Sequence, residues 1–101
     1  MARAKQLELI HPGEILLEDF MKPLGVSQNK LSRDLDVPVS SINGIVNGRK
    51  SITADLALRI AKYFRTTPEL WLGLQADYDI RRARRETWPR VEPLIRPIQA
   101  A

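Results

Sequence analysis

The chain has 101 residues, sixteen Lys and Arg against twelve Asp and Glu, a formal net charge of +4 and no cysteine. That length suits one domain with a modest core, and the missing thiols exclude disulfide staples and thiolate metal sites. With no membrane-span-length apolar run and no apolar stretch in the first ten residues, a bacterial cytoplasm is the expected location.

In chain order the elements read as an all-α domain of five helices over residues 1–86 and a tail over residues 87–101. Residues 1–10 read as extended or loosely held. Pro12, with its preset φ, opens a first helix that is acidic at Glu14, Glu18 and Asp19 and apolar at Ile15, Leu16 and Phe20. Pro23 and Gly25 end it. Ser27 is the expected N-cap of a second helix through Leu35, Pro38 opens a third, and Asn47-Gly48 closes it as a C-cap. A fourth helix is expected after Thr53 to about Phe64, with Leu56, Ile60, Ala61 and Phe64 inward. Thr67-Pro68 reads as N-cap and first position of a fifth helix to about Arg85.

The second and third helices carry a helix-turn-helix pattern over residues 27–47. Leu31, Leu35, Val37, Ile42 and Ile45 fall where two steeply crossed helices must pack, and Ser32 is small enough for close approach. Asp36 holds the turn position usually filled by Gly, and Asp is among the residues that tolerate positive φ. Such a unit most often holds DNA, its second helix reading base edges from its N-terminal part. Val39, Ser40, Asn43 and Gly44 then form the expected reading face. The Asn43 amide suits adenine, the Ser40 hydroxyl donates or accepts, and Val39 suits a thymine methyl. Gly44 is disfavoured in a helix interior, so either close approach to the duplex or simple drift accounts for it. Phosphate contacts are expected from Gln28 at the start of the second helix and from Asn29, Lys30, Ser41, Asn47, Arg49 and Lys50 around it.

Catalysis is not expected. His11 is the single histidine, and beside Pro12-Gly13-Glu14 it suits helix capping better than metal binding. No second His and no Cys exists to complete a ligand set or nucleophile pair, so neither a metal nor a cofactor is called for. Trp71, Tyr78, Phe64 and Phe20 read as core. Arg81, Arg82, Arg84 and Arg85 form a charge run of the kind that is usually a solvated face, or that meets an acidic partner or carboxylates across a dimer.

The tail differs in kind. Pro89, Pro93 and Pro97 recur every four residues, which favours an extended path over a helix. Its apolar Trp88, Val91, Leu94, Ile95 and Ile98 call for a covering surface: its own domain, a second copy, or another protein. Together with Trp71, Leu74, Tyr78 and Ile80, the residues Trp88, Val91, Leu94 and Ile95 form the expected dimer interface.

Several linked segments resemble a known family: His11-Pro12-Gly13-Glu14, Ile45-Val46-Asn47-Gly48-Arg49, Ile52-Thr53-Ala54-Asp55, Ala61-Lys62-Tyr63-Phe64, and then Thr67, Pro68, Glu69, Trp71, Leu72, Leu74 and Gln75. In that order, over about residues 10–85, they are similar to HigA-type antitoxins, also called virulence-associated protein I, of the Xre, lambda-repressor-like helix-turn-helix class. The resemblance implies a homodimeric repressor that binds double-stranded operator DNA at its own operon and neutralises a HigB-type mRNA-cleaving toxin. It also supports the phosphate role of Gln28. The recognition helix opens on short Val39, Ser40 and Ser41, where relatives often carry longer polar or basic side chains. A free-standing Xre-type regulator without a toxin, or a module that binds only protein, are the other readings of the same residues.

Overall fold

The computed structural model describes residues 9–99, so the expectation for residues 1–10 falls almost wholly outside the described part. All regular structure among the described residues is helical. The elements are α1 (Pro12–Ile15), continuing as a π-helical turn (Leu16–Met21), then α2 (Gln28–Leu35), α3 (Val39–Val46), α4 (Ala54–Phe64), α5 (Pro68–Glu86), a one-turn α6 (Trp88–Val91) and a 3₁₀ turn (Glu92–Leu94).

Each N-terminus has a side chain or ring suited to it. Ser27 Oγ accepts from the Lys30 amide at 3.0 Å, Thr53 Oγ1 from Leu56 at 3.3 Å and Thr67 Oγ1 from Leu70 at 3.1 Å. At α1 the cap is the histidine: Nδ1 of His11 accepts from the Gly13 amide at 2.9 Å. These contacts satisfy donors that a helix start leaves without partners, each contributing about 1 kcal/mol. The C-termini share one device. Gly25, Asp36, Gly48 and Arg65 all take positive φ, and the amides of Val26, Val37, Arg49 and Thr66 fold back onto carbonyls five residues earlier. That is the Schellman closure, which turns the chain sharply and feeds orphan carbonyls. Asp36, at φ 58°, therefore fills the helix-turn-helix turn as the sequence suggested.

The π turn in the first helix has a packing consequence. Its wider bonds, such as the Lys22 amide to the Leu17 carbonyl at 2.9 Å, bring residues five apart closer to one face. Leu16 and Met21 are both buried as a result. They join Leu31, Leu35, Ile42, Ile45, Ile52, Leu56, Ala57, Ile60, Ala61 and Trp71 in one core. Phe20 closes it edge-on against Trp71, with ring centroids 5.0 Å apart, and Phe64 lies beside Phe20. Trp71 is completely buried, and its indole N–H donates to Thr66 Oγ1 at 2.8 Å. Its place in the expected dimer interface is thereby corrected, because a residue with no exposed surface has none to offer a partner.

The tail also departs from expectation. Instead of one extended path after Glu86, the chain makes two further helical turns before Ile95. Pro89 lies in the first turn of α6 and Pro93 in the 3₁₀ turn. A helix's first turn has amides with nothing to bond, so a proline there breaks no hydrogen bond. Regular repetition of proline limited the length of each helical piece without forbidding the pieces. Ile80, Trp88, Leu94, Ile95 and Ile98 remain exposed.

The approach of α1 to α3 is closest at Gly13. A Cβ built there would overlap the Ile45 carbonyl, whereas one at Gly73, within α5, would meet nothing within 4 Å. The two glycines should therefore respond oppositely to the same change. Gly13→Ala is expected to destabilise by about 1–3 kcal/mol through overpacking, and Gly73→Ala to stabilise by about 1 kcal/mol through helix propensity. Urea unfolding midpoints of the two variants against the parent chain check both signs.

Candidate nucleic-acid interface

The helix-turn-helix is held from behind by three struts. Arg59, on α4, donates through one terminal nitrogen to the carbonyls of Leu35 at 2.8 Å and Asp36 at 2.9 Å, while its Nε bonds the Asp55 carboxylate at 2.9 Å. A cation at the end of α2 is well placed against the helix dipole, and two carbonyls of the turn are satisfied together. Tyr63 Oη donates to Asp34 at 2.6 Å, and Lys30 Nζ pairs with the same carboxylate at 3.0 Å. The tyrosine hydrogen bond first, and then Lys30, hold the Asp34 carboxyl below its ordinary range, and the same contact raises Lys30. The third strut was not assigned any role from sequence. Gln75 is buried on α5, where Oε1 accepts from the Ile52 amide at 2.8 Å and Nε2 donates to Asp79 at 3.0 Å. An i, i+4 Gln-Asp pair on a helix was visible in the sequence; a buried amide bonding a loop 23 residues away was not.

These struts leave one side of α3 open. Ile42 and Ile45 point into the core, while Val39 and Ser40 are exposed at the N-terminal end where base edges are reached. Ser41 is half-buried toward the loop that carries Lys50 and Ser51. Gly44 lies inward and is not on the open face. Its carbonyl accepts from the amides of Arg49 at 2.8 Å and Lys50 at 3.0 Å, and a Cβ there would meet the Lys50 stem at 2.6 Å. Of the two accounts of Gly44, close approach to a duplex or drift, neither describes its contact: the group that lies against it is the Lys50 stem of the same chain.

Asn43 is half-buried and makes three side-chain hydrogen bonds. Its Nδ2 donates to Gln28 Oε1 at 3.2 Å, and its Oδ1 accepts from Asn47 Nδ2 at 3.1 Å and from Arg49 Nη2 at 2.9 Å. Four of the sequence candidates, Gln28, Asn43, Asn47 and Arg49, are therefore one connected group. Asn29 is exposed on the first turn of α2 beside them. Lys30 is turned away into the Asp34 pair, so its charge is already compensated. Among the described residues, no carboxylate pairs with Arg49 or Lys50, whereas Lys22, Lys30, Arg59, Arg81 and Arg82 each have one. The exposed side of α3 is edged by cations whose charge is uncompensated.

Behind the loop sits His11, which packs edge-on against Tyr78 at 4.8 Å and under Gly48. Since Nδ1 accepts from the Gly13 amide, the proton of the neutral ring lies on Nε2. Burial depresses the histidine; Asp79 and the Lys50 backbone oppose that, and Arg82 adds to it. No group of three His, Asp or Glu among the described residues is placed to hold a metal, and no helix there is long and apolar enough to cross a membrane.

Comparison with known proteins agrees with this geometry. A helix-turn-helix family model matches residues 17–71. Virulence-associated protein I of Dichelobacter nodosus is 42% identical over 85 residues, covering 84% of this chain and 79% of the relative. Among solved structures, a HigA-family addiction module antidote protein from Coxiella burnetii is 45% identical with a TM-score of 0.83, covering 90% of this chain and 99% of that one. The antitoxin HigA of Pseudomonas aeruginosa, solved with the higBA promoter, is 35% identical with a TM-score of 0.86, covering 91% and 100%.

The His11 environment sets a pH dependence. Because its folded pKa lies below the ordinary 6.5, the unfolded chain binds the extra proton more readily. The contribution is complete above the unfolded value and is lost as pH falls through the interval beneath it. The urea midpoint should accordingly drop between pH 7.5 and pH 5.5, above the range where carboxylates titrate. In His11→Gln that slope should flatten. An equal slope in both chains would assign the dependence elsewhere.

Proposed function

The chain belongs to the helix-turn-helix family that contains virulence-associated protein I and the HigA antitoxins, and we propose that it is the antitoxin of a type II toxin–antitoxin pair. In this reading it represses its own operon by binding double-stranded operator DNA and neutralises a HigB-type mRNA-cleaving toxin in a bacterial cytoplasm. It is a binding protein and not an enzyme. The observation that carries the reading is the open side of α3, with Val39 and Ser40 exposed at its tip and uncompensated Arg49 and Lys50 at its end.

On a duplex, the N-terminal end of α3 enters the major groove. Val39 and Ser40 face base edges there, while the start of α2, with Gln28 and Asn29, and the loop with Asn47, Arg49 and Lys50 follow the flanking phosphates. Ser41 lies at the margin between the two sets. Gly44 contributes by letting the Lys50 stem lie flat on α3, which keeps the loop low. The decisive experiment is co-expression with the product of the adjacent gene, then purification and a mobility shift on the upstream promoter. Co-purification of a small ribonuclease-like protein together with promoter binding supports the reading. Promoter binding by a chain that captures no neighbour would instead indicate a free-standing regulator.

Electrostatics gives a separate expectation. Replacing both Arg49 and Lys50 by Ala should weaken binding to operator and unrelated duplexes alike and lower the log–log salt slope by about one to two units. Titrations at several salt concentrations measure that slope, and an unchanged value would remove both residues from the phosphate contacts.

One recognition helix reads few base pairs, so the proposal includes a homodimer on half-sites about 34–36 Å apart. Its interface is placed at the end of α5 and beyond, where Ile80, Trp88, Leu94 and Ile95 are exposed, Val91 is half-buried and Ile80, Ala83, Thr87 and Trp88 line an apolar hollow. Leu74 and Tyr78 are half-buried against the first helix and add less. Deleting residues 87–101 should yield a monomer by sedimentation and weaken operator binding by at least tenfold. A truncated chain that stays dimeric with full affinity would move the interface elsewhere.

A further inference from the structure

The hydrogen-bond chain from Arg49 to Gln28 has only one possible polarity. A guanidinium donates and never accepts. The bond from Arg49 Nη2 therefore identifies the Asn43 atom it meets as the oxygen, and the other end of that amide must be the nitrogen. That nitrogen needs an acceptor, so the Gln28 atom facing it, 3.2 Å away, is Oε1. It follows that the Gln28 NH₂ is turned off the network. Gln28 occupies the first position of α2, after the Ser27 cap, where backbone N–H groups also lack helical partners. Without the network a glutamine there could present either its oxygen or its nitrogen outward, and only the nitrogen suits a phosphate.

The same amide has a second effect on charge. Asn43 accepts from Arg49 without neutralising it, whereas a carboxylate at that position would. Asn47 supplies a further donor to Oδ1 at 3.1 Å, so two donors already converge on the Asn43 oxygen. A bidentate contact with adenine uses an amide oxygen and an amide nitrogen together. Here one N–H is given to Gln28, and both lone pairs of the oxygen are taken by Asn47 and Arg49.

From this geometry we infer that Asn43 is a positioning residue: it holds Gln28 and Arg49 as donors toward the DNA backbone on the two sides of the recognition helix, and it does not read a base. Sequence discrimination then falls to Val39 and Ser40. The inference rests on the operator-binding reading and assigns a different task to a residue within that surface.

The test uses the full chain with the promoter duplex and an unrelated duplex of equal length, titrated across salt concentrations, beside thermal melts. Asn43→Ala should weaken both duplexes by the same factor, roughly ten- to fiftyfold, leaving their ratio within about twofold. Gln28→Ala should cost clearly less in that background than in the parent chain, since the two act as a unit. Asn43→Asp keeps the side-chain shape and the oxygen that accepts from Asn47 and Arg49, gives up the N–H that Gln28 accepts, and places a carboxylate against Arg49. It should lower the salt slope by about one unit, a readout that loss of packing does not move. The inference is overturned if Asn43→Ala reduces promoter binding at least tenfold more than unrelated binding, which is the behaviour of a base reader. It is equally overturned if Asn43→Ala binds like the parent, or if Gln28→Ala and Asn43→Ala combine additively. A parent chain that binds neither duplex would bring down the operator reading and this inference together; any other adverse result removes the inference alone.

Discussion

The position of the recognition helix depends on how closely α1 can lie against it. Gly13 has no side chain, and the Ile45 carbonyl occupies the space a Cβ would need. A helix pair in backbone contact admits little rocking, so α3 is held at one depth relative to the core. Around that contact the remaining requirements are met by neighbours. His11 caps the helix that carries Gly13, lies under Gly48 and packs against Tyr78, so one imidazole ties the first helix to the end of α3 and to α5. Gln75 does the same for the loop beyond, through the Ile52 amide. Both are polar groups behind the exposed side of α3. Each satisfies a backbone amide that the helices leave without a partner.

Charge is distributed by the same logic. The surface ion pairs on α4 and α5 are i, i+4 contacts, exposed and screened by solvent. They matter less for stability than for what they remove from the long-range field. Arg81 and Arg82 are compensated within α5, and Lys30 by Asp34. Arg49 and Lys50 are not compensated, although the chain has only four more cations than anions. Two of the cations without a carboxylate partner therefore stand together where α3 meets solvent, an arrangement that attracts a polyanion.

Several features were legible before any coordinates. Ser27, Thr53 and Thr67 are caps because their hydroxyls reach amides three residues on, and that is a local matter of chain geometry. Pro12 and Pro68 open helices for equally local reasons. Asp36 was readable as a left-handed turn since its side-chain type tolerates positive φ. Arg65 was not, because nothing in arginine favours that region; it adopts φ 59° since the end of α4 must turn there for α5 to return across the core. The tail misled for a related reason. Proline spacing restricts how long a helix can run, but whether a single turn forms depends on whether the preceding helix ends in a geometry that seeds it, as the Thr87 carbonyl does for the Arg90 and Val91 amides.

By itself the sequence determined the all-α class, the helix-turn-helix with its inward Leu31, Leu35, Ile42 and Ile45, and the list of residues around the exposed helix, because periodicity, caps and turn chemistry act within a few residues. The partners of those residues were decided only by the tertiary structure. Which of Lys30, Arg49 and Lys50 keeps an uncompensated charge depends on where Asp34 and Tyr63 stand. Whether Gly44 faces outward depends on the path of Lys50, and whether the Asn43 amide is free depends on Gln28, fifteen residues earlier and on another helix. Hydrogen bonds and ion pairs act over about 3 Å. Spacing along a chain cannot specify contacts that form only after helices cross.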